Sequence, residues 1–255
     1  GFSSFGEVLQ GRMAGTFFPL LTWTLIWAVA ATATTFFFSI DLALLLNTKG
    51  VKFKEVWRTL FGITIAVPQF VSLLLMRNFL NDHGPLNGLL QTLHLTNGPI
   101  PFLTDPLWAK FSIIFVNMWI GIPFTMLVAT GINMNLPTEQ IEAAEIDGAS
   151  KFQIFKSITF PQILLIMAPS LIQQFIGNIN NFNVIYFLTG GGPKNSEYYQ
   201  AGSTDLLVTW LYKLTVSAKD YNLASVIGLL IFAISATFSL LAYTRSSSFK
   251  EGAAK

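Results

Sequence analysis

The fold of this chain follows from one segment, Glu142-Ala143-Ala144-Glu145-Ile146-Asp147-Gly148-Ala149-Ser150, which continues to Ile158-Thr159-Phe160-Pro161. The segment is polar and charged, whereas the sequence on either side of it is apolar for long runs. Of the 255 residues, 52% are hydrophobic and 11% are charged, and the mean hydropathy is +0.56. An average soluble domain has about 25% charged residues, so the composition predicts a membrane protein in which this segment meets water.

Capping signals divide the segment into two short helices. Glu139 lies where the N-terminus of a helix favours an anion. Gly148 suits the left-handed conformation that ends many helices, and Ser150 with Gln153 three residues later has the spacing of a capping box. The pattern predicts a helix over 138–147, a turn at Gly148 and a second helix over 150–158, which Pro161 closes before the next span.

Five apolar segments are long enough to span a bilayer, near residues 19–46, 59–80, 110–134, 162–188 and 221–243. Pro68 should kink the second span, and Gly121-Ile122-Pro123 should break the third. We therefore predict an all-α polytopic membrane helical bundle, with residues 1–255 in a single domain. Residues 1–16 form either a surface-lying helix or a linker. Asp41 is either an acid at headgroup level or a buried functional acid.

The short loop 47–58 gives the strongest signal for the orientation of the chain, because it carries four basic residues, Lys49, Lys52, Lys54 and Arg58, against one acid. Short basic loops stay in the cytoplasm. Alternation of five spans then places 135–161 and the tail inside, and 81–108 and 189–220 outside. Nine Lys and Arg fall inside and six outside, so the prediction depends mainly on the 47–58 loop.

The residues of common catalytic and cofactor sites are absent or scattered. The chain has no cysteine, and its two histidines, His83 and His94, lie in one loop without an acidic cluster, so we predict no metal site. No GxxxxGK[ST] sequence occurs. A net charge of +2 does not suggest a nucleic-acid partner. We predict that the protein is not an enzyme, and that energy for any transport comes from a partner.

The opening segment resembles the EAA signature of ABC-importer permeases. The signature is Glu-Ala-Ala, three residues, Gly, nine residues, Ile, one residue, a bulky apolar residue and Pro. Its positions here hold Glu142, Ala143, Ala144, Gly148, Ile158, Phe160 and Pro161. Phe160 departs from the usual Leu. Seven positions at fixed spacing are a specific signal, and the alternative is an ordinary loop between membrane helices.

Further stretches extend the resemblance from about residue 2 to residue 249 and make the chain similar to the larger permease subunit of maltose and maltodextrin importers. They are Ala66-Val67-Pro68, residues 117–123, Asn180-Asn181-Phe182, residues 188–193 and residues 201–208. The family implies a type I ABC importer permease in the bacterial cytoplasmic membrane. Its partners are a second permease subunit, two ATPase subunits that bind ATP and Mg inside, and an extracytoplasmic sugar-binding protein. The family also has a helix before the position of Gly1, so we expect a piece of a longer protein.

The resemblance makes residues 135–161 a coupling loop that docks on an ATPase subunit through Glu142, Ala143, Ala144, Asp147 and Gly148. The small side chains of Ala143 and Ala144 allow a partner surface to approach closely, and Gly148 permits the bend. Glu142 either pairs with a basic group of the partner or caps the turn at Gly148, and the sequence leaves both alternatives open.

An oligosaccharide site within a membrane needs amide groups for hydroxyls and aromatic faces for sugar rings, without unpaired charges. Two helical faces offer this, one with Asn117, Gly121 and Phe124 and one with Asn178 and Asn181. In the resembling maltose permease the matching positions line the sugar site, as do second-span positions, where this chain has Ile65 and Gln69. The predicted substrate-binding residues are therefore Gln69, Asn117, Gly121, Phe124, Asn178 and Asn181. The alternative is that these residues bond or pack between helices.

Two departures from the maltose relative, Ile65 and Gly177, replace aromatic residues and favour a longer or differently held glucan. We predict the permease subunit of an ATP-driven importer for an oligosaccharide of the maltodextrin type. The nearer alternative is a permease for another sugar, an amino acid or a peptide. A secondary transporter or channel would need ion-coordinating acids or a matching pair of broken helices, and a membrane enzyme or assembly factor would need a catalytic set; the sequence shows neither.

Overall fold

The computed structural model describes residues 2–48 and 50–245, and in these ranges the secondary structure is helical apart from one isolated β-bridge. The helices are α1 Phe2–Leu9, α2 Ala14–Asn47, α3 Lys54–Ile65, α4 Gln69–Phe79, α5 Pro85–Thr92, α6 Pro106–Met134, α7 Thr138–Ile146, α8 Lys151–Ile179, α9 Phe182–Leu188, α10 Leu207–Val216 and α11 Tyr221–Arg245. The structure does not describe Lys49 of the basic loop. It also does not describe the predicted cytoplasmic tail beyond Arg245, which includes Lys250.

Four of these helices, α2, α6, α8 and α11, are long and apolar enough to cross a membrane, and α3 with α4 makes a fifth candidate. This count agrees with the predicted bundle of five spans. The second span departs from a simple kink, because α3 and α4 meet at 94°. Pro68 is the N-cap residue of α4, at the start of a helix, where the missing N–H of proline is tolerated.

The long helix α2 organises the bundle, because it contributes to three hydrophobic clusters along its length. Phe17 and Leu20 pack with α1, α10 and α11; Trp27 packs with α4, α6 and α9; Ile40 and Leu46 pack with the ends of α6 and α8. A helix that is apolar on every side is expected in the interior of a bundle, and α2 has this character.

The clusters also show which loops share an end of the bundle. Leu46 and Val51, at the basic loop, lie in one cluster with Leu136 and Phe155 of residues 135–161, hereafter the patterned segment. Residues 102–103 and Leu206 lie together in a cluster at the other end. The structure therefore groups the loops in the way that alternation of the spans predicted.

The predicted break of the third span at Gly121-Ile122-Pro123 is wrong, because α6 runs unbroken from Pro106 to Met134. A proline inside a helix removes one backbone hydrogen bond, but neighbouring helices can compensate. Pro123 is buried against the bundle, and Ser39 of α2 donates a long hydrogen bond of 3.4 Å to the Ile122 carbonyl. Packing against α2 therefore holds the helix together through the proline.

The predicted end of the second short helix at Pro161 is also wrong, because α8 continues from Lys151 to Ile179. The turn before the proline is π-helical, over Phe155–Thr159. A proline ring normally clashes with the carbonyl four residues earlier, here that of Ser157. The wider π-turn displaces that carbonyl, so the proline is accommodated without ending the helix.

The predicted fourth span, 162–188, is divided at Asn180. The long helix ends at Ile179, and Asn181 caps α9 by accepting a hydrogen bond from the Val184 N–H at 3.3 Å. Asparagine competes for backbone hydrogen bonds and favours helix caps over helix interiors. The run of asparagines therefore marks a helix junction, where the hydropathy of the region predicted one continuous span.

At the end of the bundle away from the patterned segment, the loop 189–206 folds around a buried ion pair. Asp205 is fully buried, and Lys213 of α10 donates to its Oδ2 at 2.5 Å, as does the Gly202 N–H at 2.7 Å. Gly191 has φ +80°, and a Cβ there would overlap the Asp205 carboxylate. Glycine at position 191 is thus required by both its backbone conformation and its close contact with Asp205.

Candidate functional site

A cleft of about 280 Å³, hereafter the central cleft, lies between α2, α4, α6 and α8. All six residues that the sequence assigned to a sugar site line it: Gln69, Asn117, Gly121, Phe124, Asn178 and Asn181. The structure therefore brings together residues from three predicted spans. The described residues that line the cleft include no ionisable side chain, so its surface is neutral and polar, with an aromatic face.

Asn178 and Asn181 bond across helices. The Asn181 amide nitrogen donates to Asn117 Oδ1 at 3.1 Å and to Asn178 Oδ1 at 3.2 Å, while Asn181 Oδ1 caps α9. The Asn178 amide nitrogen donates to Thr32 Oγ1 of α2 at 3.0 Å. Asn178 and Asn181 therefore bond between helices, which is the alternative that the sequence analysis named for them. Both residues also line the wall of the cleft.

Other polar atoms on the wall keep unused hydrogen-bonding capacity within the described part of the chain. Gln69 and Gln174 each use one end of the amide in a bond of 3.2 Å to a neighbouring side chain, which leaves the other end free. Asn117 accepts one bond and donates none. Thr35 Oγ1 is buried without any partner. Because buried polar atoms are nearly always satisfied, these are the atoms that ligand hydroxyls would use.

Gly121 packs between helices, which is the alternative that the sequence left open for it, and it also lines the central cleft. A Cβ at this position would lie 2.9 Å from Cγ2 of Thr35. The space beside the Gly121 backbone is therefore occupied by α2, and the glycine allows α2 and α6 to approach closely, as small residues do in membrane helices. The close approach places Thr35 in the cleft wall.

Aromatic surface borders the cleft on one side. The Phe124 side chain is 59% exposed, and it also lines an apolar cleft of about 580 Å³ together with Ile65, Pro68 and Trp119. Gly177 opens the wall opposite, where the sequence lacks an aromatic residue. Of the positions Ile65, Phe124 and Gly177, Phe124 alone provides an aromatic face.

The patterned segment folds largely as its capping signals predicted. Glu142, Ala143 and Ala144 lie in α7, and Asp147 is its C-terminal cap residue. Gly148 has φ +80°, in the left-handed region that favours glycine. Ser150 and Gln153 form the predicted capping box, with reciprocal bonds of 3.3 and 2.8 Å.

The turn at Gly148 is closed by backbone bonds, from the Gly148 N–H to the Glu145 carbonyl and from the Ala149 N–H to the Ala144 carbonyl. Glu142 does not cap the turn; among the described residues its carboxylate makes no hydrogen bond or ion pair. Of the two alternatives for Glu142, a bond to a partner is the one that the structure leaves open.

The surface around this turn is apolar at two points. Ile146 is 87% exposed and Phe152 is 70% exposed, on either side of Gly148. A groove of about 390 Å³ runs beside them, lined by Ala144, Asp147 and Gly148. Large apolar side chains with this exposure, next to a groove and rimmed by acids, are typical of a surface that binds another protein.

The patterned segment is joined to the bundle by a side-chain bond. Gln162 of α8 donates to Gln140 of α7 at 2.7 Å. Because α8 also carries Gln174 and Asn178 of the central cleft, one continuous helix connects the cleft with the exposed turn.

Sequence reasoning missed three polar residues of the central cleft. Gln174 lies one helical turn before Asn178, so its spacing could have identified it. Thr35 and Thr125 are small hydroxyl residues inside apolar helices, where they usually bond to the helix backbone. Their place in the cleft depends on how α2 and α6 pack, which no local pattern encodes.

Comparison with protein families shows that the model of the binding-protein-dependent transport system inner membrane component matches residues 36–248. Among curated proteins, the galactooligosaccharides transport system permease protein of Bacillus subtilis (strain 168) is 37% identical over 99% of this chain and 60% of its own length. The maltodextrin transport system permease protein of the same organism is 38% identical over 98% of this chain and 59% of its own length. The chain thus spans about three-fifths of these relatives.

Among solved structures, the chain is similar to a bacterial alginate ABC transporter crystallised in complex with an alginate pentasaccharide-bound periplasmic protein. The TM-score is 0.82 at 23% sequence identity, over 98% of this chain and 83% of that chain. This similarity confirms the fold as that of an ABC transporter permease.

Proposed function

Because the chain belongs to the family of binding-protein-dependent transport system inner membrane components, we propose that it is the oligosaccharide-conducting permease part of an ATP-driven importer. It is a multi-pass membrane protein, and we place it in the bacterial cytoplasmic membrane. The observation that carries the proposal is the central cleft, a neutral amide-lined site connected by α8 to an exposed turn.

A neutral linear oligosaccharide fits the chemistry of the central cleft. Amide and hydroxyl groups offer donors and acceptors for sugar hydroxyls, and Phe124 offers a face for a sugar ring. The similar alginate importer carries an acidic polysaccharide, which would call for basic groups, and the described lining of this cleft has none. The curated relatives named for maltodextrin and galactooligosaccharides support a neutral sugar of the maltodextrin type. An amino acid would present charges that this lining cannot pair.

The exposed turn supports docking on an ATPase subunit. Ile146 and Phe152 provide apolar anchors, and Glu142 and Asp147 provide carboxylates for basic groups of the partner. In this proposal ATP and Mg are bound and ATP is hydrolysed by two partner subunits, and the chain itself has no catalytic role. A second permease subunit completes the sugar path, and an extracytoplasmic binding protein delivers the sugar.

The substrate assignment is tested with Asn117→Ala and Gln69→Ala in the assembled transporter, reconstituted in proteoliposomes. Both side chains have free amide nitrogens at the cleft, so loss of one hydrogen bond should raise the maltodextrin concentration for half-maximal uptake about 2- to 10-fold. Assembly and the ATPase response to binding protein should persist.

The matched control is Asn97→Ala, which removes the same side chain from an exposed loop. Its uptake should equal that of the unmodified transporter. Unchanged uptake in both Asn117→Ala and Gln69→Ala would mean that the sugar site lies elsewhere in the protein.

A further inference from the structure

A second cleft, of about 370 Å³, adjoins the central cleft on the side of the patterned segment. Phe124, Thr125 and Gln174 line both clefts. The remaining lining residues of the second cleft include Ser170 and Gln173 of α8. Because the two clefts share a wall, a ligand too long for the first would extend into the second.

The direction of this extension follows from the helix pairing. Asn181 bonds to Asn117, while Gln174 bonds to Thr125, so α6 and α8 run in opposite directions. Gln173 lies five residues before Asn178, about 7.5 Å along a helix that rises 1.5 Å per residue. The second cleft therefore continues the central cleft along α8 towards the patterned segment.

The polar residues of α8 recur at helical spacing through both clefts. Ser170, Gln174 and Asn178 lie at i, i+4 and i+8, on one face of the helix. Gln173 is exposed next to this face, and within the described part of the chain its amide makes no hydrogen bond. An unpaired amide on a membrane-spanning helix is costly in lipid, so Gln173 needs a polar partner that the isolated chain does not supply.

We propose that the second cleft is a further sugar subsite, in which Ser170 and Gln173 bind the additional units of a linear neutral oligosaccharide. This inference rests on the proposed function and extends its site. The central cleft holds one part of the chain of sugar units, and the second cleft holds the part nearer the patterned segment. Ser170 and Gln173 then act as specificity residues for oligosaccharide length.

The first experiment compares uptake of maltotriose and maltoheptaose by the assembled transporter in proteoliposomes. Gln173→Leu and Ser170→Ala should raise the concentration of maltoheptaose for half-maximal uptake about 2- to 10-fold and leave that of maltotriose unchanged. Leu165→Ala, on the same helix and lining neither cleft, should change neither sugar. Equal effects on both sugars, or no effect on either, would overturn the subsite.

Asn117→Ala separates this inference from the function on which it rests. This variant should weaken uptake of both sugars, because both occupy the central cleft. If Asn117→Ala weakens both sugars and Gln173→Leu does not discriminate between them, the central site stands and the second subsite is wrong. If Asn117→Ala and Gln69→Ala leave uptake of both sugars unchanged, the sugar site lies elsewhere, and the central site and its extension are both wrong.

A second experiment uses the absence of cysteine from the sequence. Gln173→Cys in the assembled transporter should react with a polar thiol reagent, and maltoheptaose should slow the reaction while maltotriose does not. Leu95→Cys, in an exposed loop away from both clefts, should react at the same rate with and without sugar. A Gln173→Cys that is unreactive in all conditions would show that the second permease subunit or lipid covers this amide, and would contradict the proposal.

Discussion

At the scale of single residues, two glycines are fixed by backbone geometry for different reasons. Gly148 has φ +80°, and the position of its missing Cβ is open, with no heavy atom within 4 Å. Gly191 has the same φ, but its Cβ position is occupied by Asp205. Substitution at Gly148 therefore costs conformational strain alone, whereas substitution at Gly191 also requires the ion pair to move.

Gly148→Val should strain the turn of the patterned segment. A left-handed conformation costs an L-residue roughly 1–2 kcal/mol, and more for a β-branched side chain. We expect the strained turn to lower sugar-stimulated ATPase activity and transport together. Gly148→Asn is the matched control, because asparagine tolerates the left-handed region. Equal loss of activity in both variants would show that size at the docking surface, and not strain, is decisive.

Lys213→Met should destabilise the loop 189–206 because it leaves the fully buried Asp205 without its cation. Removal of one partner from a buried ion pair typically lowers the free energy of unfolding by about 3–5 kcal/mol. The double variant Asp205→Asn with Lys213→Met removes both charges and should recover part of that stability. Thermal unfolding of the purified protein in detergent measures both. A double variant less stable than Lys213→Met would mean that the carboxylate is held mainly by the Gly202 N–H.

At the scale of helices, α2 and α6 pack closely at Gly121. Gly121→Ala should push the helices apart, because its Cβ would meet Thr35 Cγ2 at 2.9 Å. Overpacking of this kind typically costs about 1–3 kcal/mol. Thr35→Ser removes that methyl group and keeps the hydroxyl, so the double variant should recover stability.

The coupling between these two substitutions is measured by thermal unfolding of the four proteins in a double-mutant cycle. Independent effects of Gly121→Ala and Thr35→Ser would contradict the contact. The single variant Thr35→Ser should take up sugar normally if the hydroxyl at this position binds the sugar and the methyl group does not.

The helices also show which features the sequence could predict. The caps and the glycine turn of the patterned segment were predicted nearly to the residue, because such features are encoded locally, whereas the continuation of its second helix past Pro161 was not. The unbroken passage of α6 through Pro123 was not, since it depends on packing against α2. The junction at Asn180 was hidden by hydropathy, which averages over a window and does not register a cap.

The central cleft was predicted through its amides, because their spacing places them on helical faces that the resemblance relates to a sugar site. Thr35 and Thr125 could not be found in the same way, because a hydroxyl inside an apolar helix usually bonds to its own backbone. Only the packing of three helices places these hydroxyls in the cleft. The position of these two hydroxyl groups in the cleft is therefore determined by tertiary structure and not by the local sequence.

At the scale of the whole molecule, α8 links the two functional regions. Its first turn bears the capping box of the patterned segment, and its last two turns bear Gln174 and Asn178 of the central cleft. A rigid-body movement of α8 would therefore displace the cleft wall and the docking turn together. In the proposed transporter, this continuity would provide a physical route from ATPase docking to sugar release.

The orientation of the molecule in the membrane is tested by thiol labelling of single-cysteine variants. The basic loop and the patterned segment share one end of the bundle, and the positive-inside rule places that end in the cytoplasm. Thr138→Cys should therefore be labelled by a membrane-impermeant reagent in inside-out vesicles, and Leu95→Cys in intact cells. Leu95 is 67% exposed, whereas Asn87 in the same loop region is 1% exposed and unsuitable for labelling.

Ala28→Cys, in the fully buried middle of α2, should not react from either side and controls for labelling of unfolded protein. Labelling of Leu95→Cys and Thr138→Cys from the same side would contradict the number of crossings between them, since only α6 separates the two positions. Labelling of Thr138→Cys in intact cells and of Leu95→Cys in inside-out vesicles would leave the number of crossings unchanged but reverse the orientation of the bundle in the membrane. In that case the ATPase subunits would have no access to the patterned segment, and the coupling role would be lost with the orientation.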